Sequence, residues 1–450
     1  MIFQILDANY TYDSQRSPLV QLFGTTEDGE SVTCRVAGFR PYFYARVEEG
    51  LLEKAALELK AMGVDVEVVQ RFEPIGFQTT PKKMLKITTH DPKEVRSLRE
   101  RAKEVEGVQA VYETDILFKN RFLIDCHLGG MSWVDAPLPE WIAGQKAAPA
   151  GSSSASSCAC PLVYVQSLRA VEHEANAPMR FMSFDIECLP DHGEMPRPEK
   201  SPVILISMAF FPSYQDSSDL VLVGKEIECP RRDTISCRDE YDLISRFFSI
   251  IRDYNPDILA GYNSNEFDFP YLAERARQLR LEARVARDGS SWYIRKIVSR
   301  TDVSITGRVV VDLLPIIRST YSLKQYTLRN AAAELLKMEK HDVDPKEIES
   351  LWEQGGEGLR RFISYSRRDA VLAQSMLLDL RLMDKYVALS RASGSLLQDI
   401  VNGGQSGMVE SLLLRRFQER GRVVPPKPDA DISEDRYEEN EELKGGAVLV

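Results

Sequence analysis

The chain has 450 residues, 43% of them hydrophobic and 28% charged, with a formal net charge of −11 at pH 7. Such a length holds two or three domains with full-sized cores, the composition is ordinary for a soluble globular protein, and no stretch approaches the ~20 apolar residues of a membrane span. The acidic balance excludes a protein that simply coats nucleic acid with positive charge, while leaving room for an enzyme that grips a short end and needs carboxylates for metals. The N-terminal MIFQILDANYTYDS lacks the charged start and long apolar core of a signal peptide, so a cytoplasmic protein is expected. Seven scattered cysteines (Cys34, Cys126, Cys158, Cys160, Cys188, Cys229 and Cys237) do not form a disulfide framework, and Cys158 and Cys160 have no second pair to complete a zinc site.

In chain order, the first 134 residues alternate short β-rich runs with helical ones. Ile2–Leu6, Leu19–Phe23, Tyr42–Ala45 and Val64–Val69 read as strands, and Leu51–Met62 and Pro92–Val105 as helices. Residues 135–160, rich in Pro, Ala, Gly and Ser, cannot bury enough surface to offset the entropy of ordering them and read as an exposed linker, with 137–160 the expected first site of limited proteolysis. From 161 to 380 strand and helix signals alternate, the pattern of an α/β domain. Val203–Phe210 is nearly continuously apolar, as in a strand covered on both faces. Leu243, Phe247, Ile250 and Ile251 repeat at helical spacing up to Asn255-Pro256, and Ile258–Tyr262 is a short strand. Residues 381–424 read as further helices stopped by VVPPKP, and 425–450 as an acidic connector (DADISEDRYEENEE).

Three constellations carry chemistry. In Phe181-Met182-Ser183-Phe184-Asp185-Ile186-Glu187, the side chains of Asp185 and Glu187 share one face of a strand. Two carboxylates there repel each other and resist burial, and a divalent cation removes both problems; the alternative is a strand end with two exposed acids. In Gly261-Tyr262-Asn263-Ser264-Asn265-Glu266-Phe267-Asp268-Phe269-Pro270, Asp268 stands at a strand-to-helix junction, where it either caps the helix or reaches a metal beside the sheet. In Tyr365-Ser366-Arg367-Arg368-Asp369, Tyr365 and Asp369 share an otherwise apolar helix face, as a structural pair or as a metal ligand with a phenol that holds water or phosphate. Together they offer four carboxylates and a phenol, an inventory suited to two-metal phosphodiester hydrolysis with Mg²⁺ or Mn²⁺. A tyrosine, with an ordinary pKa of about 10, would orient the attacking water rather than deprotonate it.

These motifs resemble Exo I, Exo II and Exo III of the DEDD exonucleases with tyrosine, and the likeness extends to family B DNA polymerases of the archaeal and eukaryotic delta type. FMSFDIECLPDHGEMPRPEKSPVILIS, GYNSNEFDFPYLAERA and GRVVVDLLPIIRSTYSLKQYTL are similar to the exonuclease segments of that family. FRPYFYAR and YETDILFKNRFLID are similar to its N-terminal domain, and LSRASGSLLQDIVNGGQSGMVESLLLRR to the helices that follow the exonuclease. The resemblance implies an α/β and α+β multidomain chain: an RNase H-like exonuclease domain packed on a β-rich N-terminal domain, then helices returning to that domain and leading to the start of a palm. It implies metal ligation by Asp185, Glu187, Asp268 and Asp369, positioning of water by Tyr365, and contacts of Asn263 and Phe267 with the 3′-terminal nucleotides. Tyr10, Pro41, Pro81, Met84 and Phe118 match a uracil-binding pocket of the archaeal members, with Met84 where a β-branched residue is usual; the alternative is that they are ordinary core residues.

The function this implies is 3′→5′ exonuclease proofreading on a single-stranded 3′ end or primer-template, in a nucleoid-associated cytoplasmic protein with no membrane partner. The palm, fingers and thumb would come in cis or from a second polypeptide, and a sliding clamp is a further candidate partner. The family's Tyr-x-Gly-Gly segment is matched by Leu443-Lys444-Gly445-Gly446, without its tyrosine, and the palm's catalytic acids do not occur in these 450 residues, so DNA synthesis by the chain alone is not expected. A free-standing DEDD-type repair or RNA-trimming exonuclease, and a catalytically inactive DNA-binding module, are the rival readings. Metal-dependent nuclease activity separates the last from the others.

Overall fold

The computed structural model describes residues 1–137, 162–189, 195–227, 232–297, 300–338, 347–425 and 427. The body of the expected linker, Cys158, Cys160 and Cys229, and the acidic run with Leu443–Gly446 lie outside them. In chain order the first elements are strands β1 (Ile2–Tyr12), β2 (Pro18–Thr25) and β3 (Ser31–Val36). There follow β4 (Tyr42–Val47), helix α1 (Leu52–Ala61), β5 (Asp65–Arg71), β6 (Lys82–Thr88), α2 (Val95–Lys103), β7 (Val108–Tyr112) and α3 (Phe118–Asp125). Next come β8 (Trp133–Asp135), β9 (Leu162–Val165), β10 (Arg169–Val171), β11 (Phe181–Cys188), β12 (Val203–Tyr214), β13 (Ser217–Val223) and β14 (Thr234–Ser236). Helix α4 (Glu240–Tyr254), β15 (Ile258–Gly261), α5 (Asp268–Gln278), the hairpin β16 (Tyr293–Ile297) and β17 (Arg300–Ser304), β18 (Val309–Asp312) and α6 (Leu313–Thr320) complete the sheet region. The remainder is helical: α7 (Leu328–Ala331), α8 (Ile348–Gln354), α9 (Gly356–Asp379), α10 (Leu382–Ser393) and α11 (Leu397–Glu419).

The chain forms two compact units. The first takes residues 1–11, 20–37 and 126–412. At its centre is a six-stranded mixed sheet in the order β14-β13-β12-β11-β15-β18. Strand β11 lies inside it, antiparallel to β12 and parallel to β15. Met182, Phe184 and Ile186 point to one face and join Leu243, Phe247 and Ile251 of α4 in a continuous apolar core. The opposite face is covered by α9. The expected strand Val203–Phe210 is buried along its whole length, as its continuous apolar run requires. Helix α4 starts where the Asp239 carboxylate accepts the Asp242 amide at 2.8 Å and ends at Asn255, a left-handed residue (φ 54°) before Pro256.

A second sheet, in the order β10-β8-β1-β2-β3-β9, belongs largely to the same unit. Buried polar bonds tie it to the mixed sheet. Thr25 donates to Asp257 (3.0 Å), Arg287 bridges Asp257 (2.7 Å) and Ser31 (3.1 Å), and the Gly307 amide donates to Asp7 (2.8 Å). Helix α10 stops at Gly394, a left-handed residue at φ 73°. A Cβ on Gly129 would lie 2.8 Å from the Gly394 Cα, so both glycines serve a close approach of backbones. Among the described residues no helix is long and apolar enough to cross a membrane.

The second unit, residues 12–19, 38–125 and 413–450, contains a four-stranded antiparallel sheet in the order β5-β6-β4-β7. Its chain order, β4-α1-β5-β6-α2-β7, is a ferredoxin-like βαββαβ arrangement. Leu59 of α1 and Leu98 and Ala102 of α2 pack with Phe43, Ala45, Leu85 and Ile87 on one face. Tyr42, Tyr44, Met84 and Tyr112 form a core on the other, which Val423 joins.

Candidate active site

The Exo I-like strand places its carboxylates by simple alternation. Ser183, Asp185 and Glu187 point away from the α4 core, toward α9, while Met182, Phe184 and Ile186 fill that core. Asp369 on α9 comes to meet them. One carboxylate oxygen each from Asp185, Glu187 and Asp369 lie within 4.8 Å of one another, with Asp369 buried and the other two half-buried.

What lets α9 approach so closely is a set of small polar contacts that the sequence alone does not reveal. Ser207 on β12, the register partner of Asp185, meets Ser366 on α9 at 2.6 Å. Ser183, two residues before Asp185, donates to Gln374 of α9 at 2.5 Å. The two serine-mediated contacts flank Asp369 along the helix, and Ser183, Ser207 and Ser366 are all fully buried. Larger side chains there would hold the helix off the sheet and spread the carboxylates. The only signal is a set of serines at otherwise apolar positions, which reads as noise until the partner element is known.

Asp268 is the first residue of α5 and is buried. Its Oδ1 accepts the amide of Ile186 at 3.2 Å, the residue between Asp185 and Glu187. It therefore sits against the backbone of the carboxylate strand. Burial pushes its carboxyl up to about 7, with the charge of Asp312 acting in the same direction and the Ile186 amide opposing it.

The loop that delivers Asp268 is organised by Asp312, which the sequence alone does not single out. Asp312 ends β18; its Oδ1 accepts the amides of Asn263 (2.9 Å) and Leu314 (3.0 Å), and its Oδ2 that of Asn265 (3.1 Å). One buried carboxylate thus caps α6 and fixes a loop in which Asn263 is left-handed (φ 65°). Phe267 is partly buried, with its ring 5.4 Å from that of Tyr271. Tyr365 lies one turn before Asp369 on α9, stacked at 6.5 Å on Phe362.

The residues matched to a uracil pocket have these places. In the second unit, Met84 is fully buried beside Tyr44 and Tyr112, Pro41 and Phe118 are buried, and Pro81 is half-buried. Tyr10 is a half-buried residue of β1 in the first unit.

A set of three converging carboxylates, with a fourth beside them, is a hard oxygen donor set that fits Mg²⁺ or Mn²⁺. Such a cation offsets the mutual repulsion of three acids held this close.

Comparison with known proteins follows the same lines. Residues 109–331 match the exonuclease domain of DNA polymerase family B, a span that contains Asp185, Glu187, Asn263, Phe267 and Asp268. The DNA polymerase delta catalytic subunit of Oryza sativa subsp. japonica is 31% identical over 461 residues, covering 93% of this chain and 41% of that protein. The DNA polymerase of Pyrococcus horikoshii is 30% identical, covering 99% and 32%. The solved structure of the family B DNA polymerase from Pyrobaculum calidifontis superposes with a TM-score of 0.76 at 28% identity, over 95% of this chain and 52% of that one. The chain thus spans less than half the length of these two curated relatives. Motifs, fold and relatives agree: the chain belongs to the family B DNA polymerases and carries their exonuclease domain.

Proposed function

We propose that this chain removes 3′-terminal nucleotides from single-stranded or mismatched DNA ends, the proofreading reaction of a replicative polymerase. The observation that carries the proposal is the convergence of Asp185, Glu187 and Asp369, from a strand and a helix far apart in sequence, within 4.8 Å. Asp185, Glu187 and Asp369 would hold a divalent cation, and Asp268 would complete the set for a second. Bound Mg²⁺ or Mn²⁺ would supply an activated water and stabilise charge on the departing 3′-oxygen. The protein's own groups have separate tasks. Tyr365, one helical turn from Asp369, holds the attacking water by its phenol. Asn263 and Phe267, on the loop fixed by Asp312, receive the terminal nucleotides, Phe267 by stacking on a base.

The test is hydrolysis of a 5′-labelled single strand and of a duplex with a 3′ mismatch. Asp185→Ala combined with Glu187→Ala is expected to abolish release of 3′ nucleotides while leaving the thermal melt intact, and excess chelator to do the same to the unaltered chain. Persistent activity in either case overturns the assignment. Tyr365→Phe is expected to cost less than Asp369→Ala, since it removes one hydrogen bond and leaves the metal ligands in place; equal losses would contradict the role given to Tyr365.

A further inference from the structure

The motif Tyr365-Ser366-Arg367-Arg368-Asp369 sets two arginines between the phenol and the carboxylate of the site, and the chemistry proposed for the site uses neither. Arg367 reaches to the edge of the mixed sheet. Its Nη1 bonds the Asp233 carboxylate and lies 3.3 Å from that of Asp219, and its Nη2 donates to the Asp233 carbonyl (3.2 Å) and the Thr234 hydroxyl (2.9 Å). One planar fork thus spans β13 and the start of β14, the last two strands on that side of the sheet. The Arg367 side chain is only 19% exposed. Its bond holds the Asp233 carboxyl below the ordinary carboxylate range.

Apolar contact alone does not fix how a helix is rolled about its axis. Phe362 and Ile363 of α9 pack with Leu205, Val221 and Val223, an attraction without direction. Hydrogen bonds are directional and set the roll. Successive helical residues are about 100° apart, so Tyr365 and Arg367 stand about 200° apart, on opposite flanks of α9. Ser366, buried against Ser207 of β12, lies between them. An anchor on one flank therefore sets the height of the other. With side chains reaching about 5–6 Å from the axis, a roll of about 10° shifts the Tyr365 and Asp369 side chains by about 1 Å. A misplacement of about 1 Å can cost roughly a hundredfold in rate.

We infer that Arg367 is a positioning residue for the exonuclease reaction: its guanidinium, held by Asp219, Asp233 and Thr234, fixes the roll of α9 and so aims the Tyr365 phenol and the Asp369 carboxylate. The inference rests on the exonuclease reading, and Arg367 acts only through those two side chains.

The test is steady-state hydrolysis of a 5′-labelled single strand by the full chain with Mg²⁺, alongside melting curves and hydrogen exchange in chelator. Arg367→Gln is expected to lower kcat about 10- to 100-fold with KM unchanged. In chelator, where no hydrolysis intervenes, it is expected to speed amide exchange along residues 362–373 of α9. Arg367→Lys, which keeps the charge and loses the planar fork, should recover part of the lost kcat. In a Tyr365→Phe chain the same Arg367→Gln change should cost much less, since residues that act through one another are not additive. Undiminished kcat, a raised KM at unchanged kcat, losses that simply add to that of Tyr365→Phe, or unchanged exchange in α9 overturns the proposal. Should Arg367→Gln melt below the assay temperature, Asp219→Asn takes its place, keeping the shape and removing one of the two charges on the fork. A several-fold lower kcat is then expected, and an unchanged one overturns the proposal. No hydrolysis by the unaltered chain overturns the exonuclease reading and this one with it, whereas equal kcat in the unaltered and Arg367→Gln chains overturns this one alone.

Discussion

In the βαββαβ unit, buried Glu113 and half-buried Asp125 stand against Arg121; in the exonuclease unit, Asp185, Glu187 and Asp369 are brought within 4.8 Å of one another. Both arrangements place carboxylates where water is scarce. In the first the compensating cation is part of the chain: Arg121 is itself buried, bonds Glu113, lies 3.7 Å from Asp125 and sits over the ring of Tyr42, whose hydroxyl donates to Asp125 at 2.8 Å. Burial pushes the Glu113 carboxyl up, and the Arg121 charge pulls the other way. In the second, acids are turned toward each other, which costs stability unless a mobile cation arrives. An acid buried opposite arginine is architecture; half-buried acids turned toward a buried one are a candidate site.

The contrast is most easily broken at Arg121. Arg121→Met leaves buried Glu113, with half-buried Asp125 beside it, without its guanidinium, and loss of one partner of a buried pair costs about 3–5 kcal/mol. The expected outcome is a large fall in the melting temperature of the second unit, followed by residue-resolved hydrogen exchange, with hydrolysis of single-stranded DNA unchanged below that transition. If Asp185→Ala with Glu187→Ala destabilises the chain as much as Arg121→Met does, the carboxylates of the site are structural and the distinction collapses.

The converse experiment adds the mobile cation. A ligand that binds only the folded state stabilises it by about 2.7 kcal/mol at a hundred times its Kd. Mg²⁺ or Mn²⁺ is therefore expected to raise the melting temperature of the exonuclease unit, measured by calorimetry, and to have no such effect in the Asp185→Ala, Glu187→Ala chain. An equal shift in both would place the ion elsewhere.

The sequence disclosed the acids more readily than the parts that aim them. Asp185 and Glu187 were legible because strand alternation alone puts them on one face, and Asp369 because helical spacing does. The α4 boundary was legible in Asn255-Pro256. Strands β6 and β7 and helix α3 were not: KKMLKIT carries lysines at positions that would otherwise show apolar alternation, and FKNRFLID buries an arginine, Arg121, that reads as surface. Asp312 carries no such signal, since beyond the local Leu314 amide its partners Asn263 and Asn265 lie on a loop brought to it only by the fold.

Asp312 accordingly gives a smaller and sharper test. Asp312→Asn keeps the shape but leaves one carbonyl oxygen where two carboxylate oxygens accepted three amides. A buried amide left unsatisfied costs about 1–3 kcal/mol, here borne by the loop holding Asn263 and Phe267. The expected result is a reduced hydrolysis rate with the unit still folded by circular dichroism. An unaltered rate would show that other contacts suffice to hold the loop.

The smallest expected effect concerns Met84, a buried core residue of the second unit that matches a position of the archaeal uracil pocket. A pocket that accepts uracil and refuses thymine works through one methyl group, worth about 1–3 kcal/mol in an apolar site, and only if its wall is rigid. Met84 is shielded from solvent and packed with Tyr44, Tyr112 and Val423. A methionine is longer than the β-branched residue usual at the matching archaeal position and adapts its shape to the space available. In the wall of such a pocket it would take up volume a base needs, and uracil recognition is expected to be weakened or lost. The measurement is binding of matched single-stranded oligonucleotides carrying uracil or thymine to an Asp185→Ala chain in chelator. The unaltered Met84 should bind both alike, and Met84→Val should gain preference for uracil at a modest loss of stability from the core. A clear uracil preference with Met84 in place, abolished by Met84→Gln, would show that the pocket is open and that the methionine forms its wall instead of its filling.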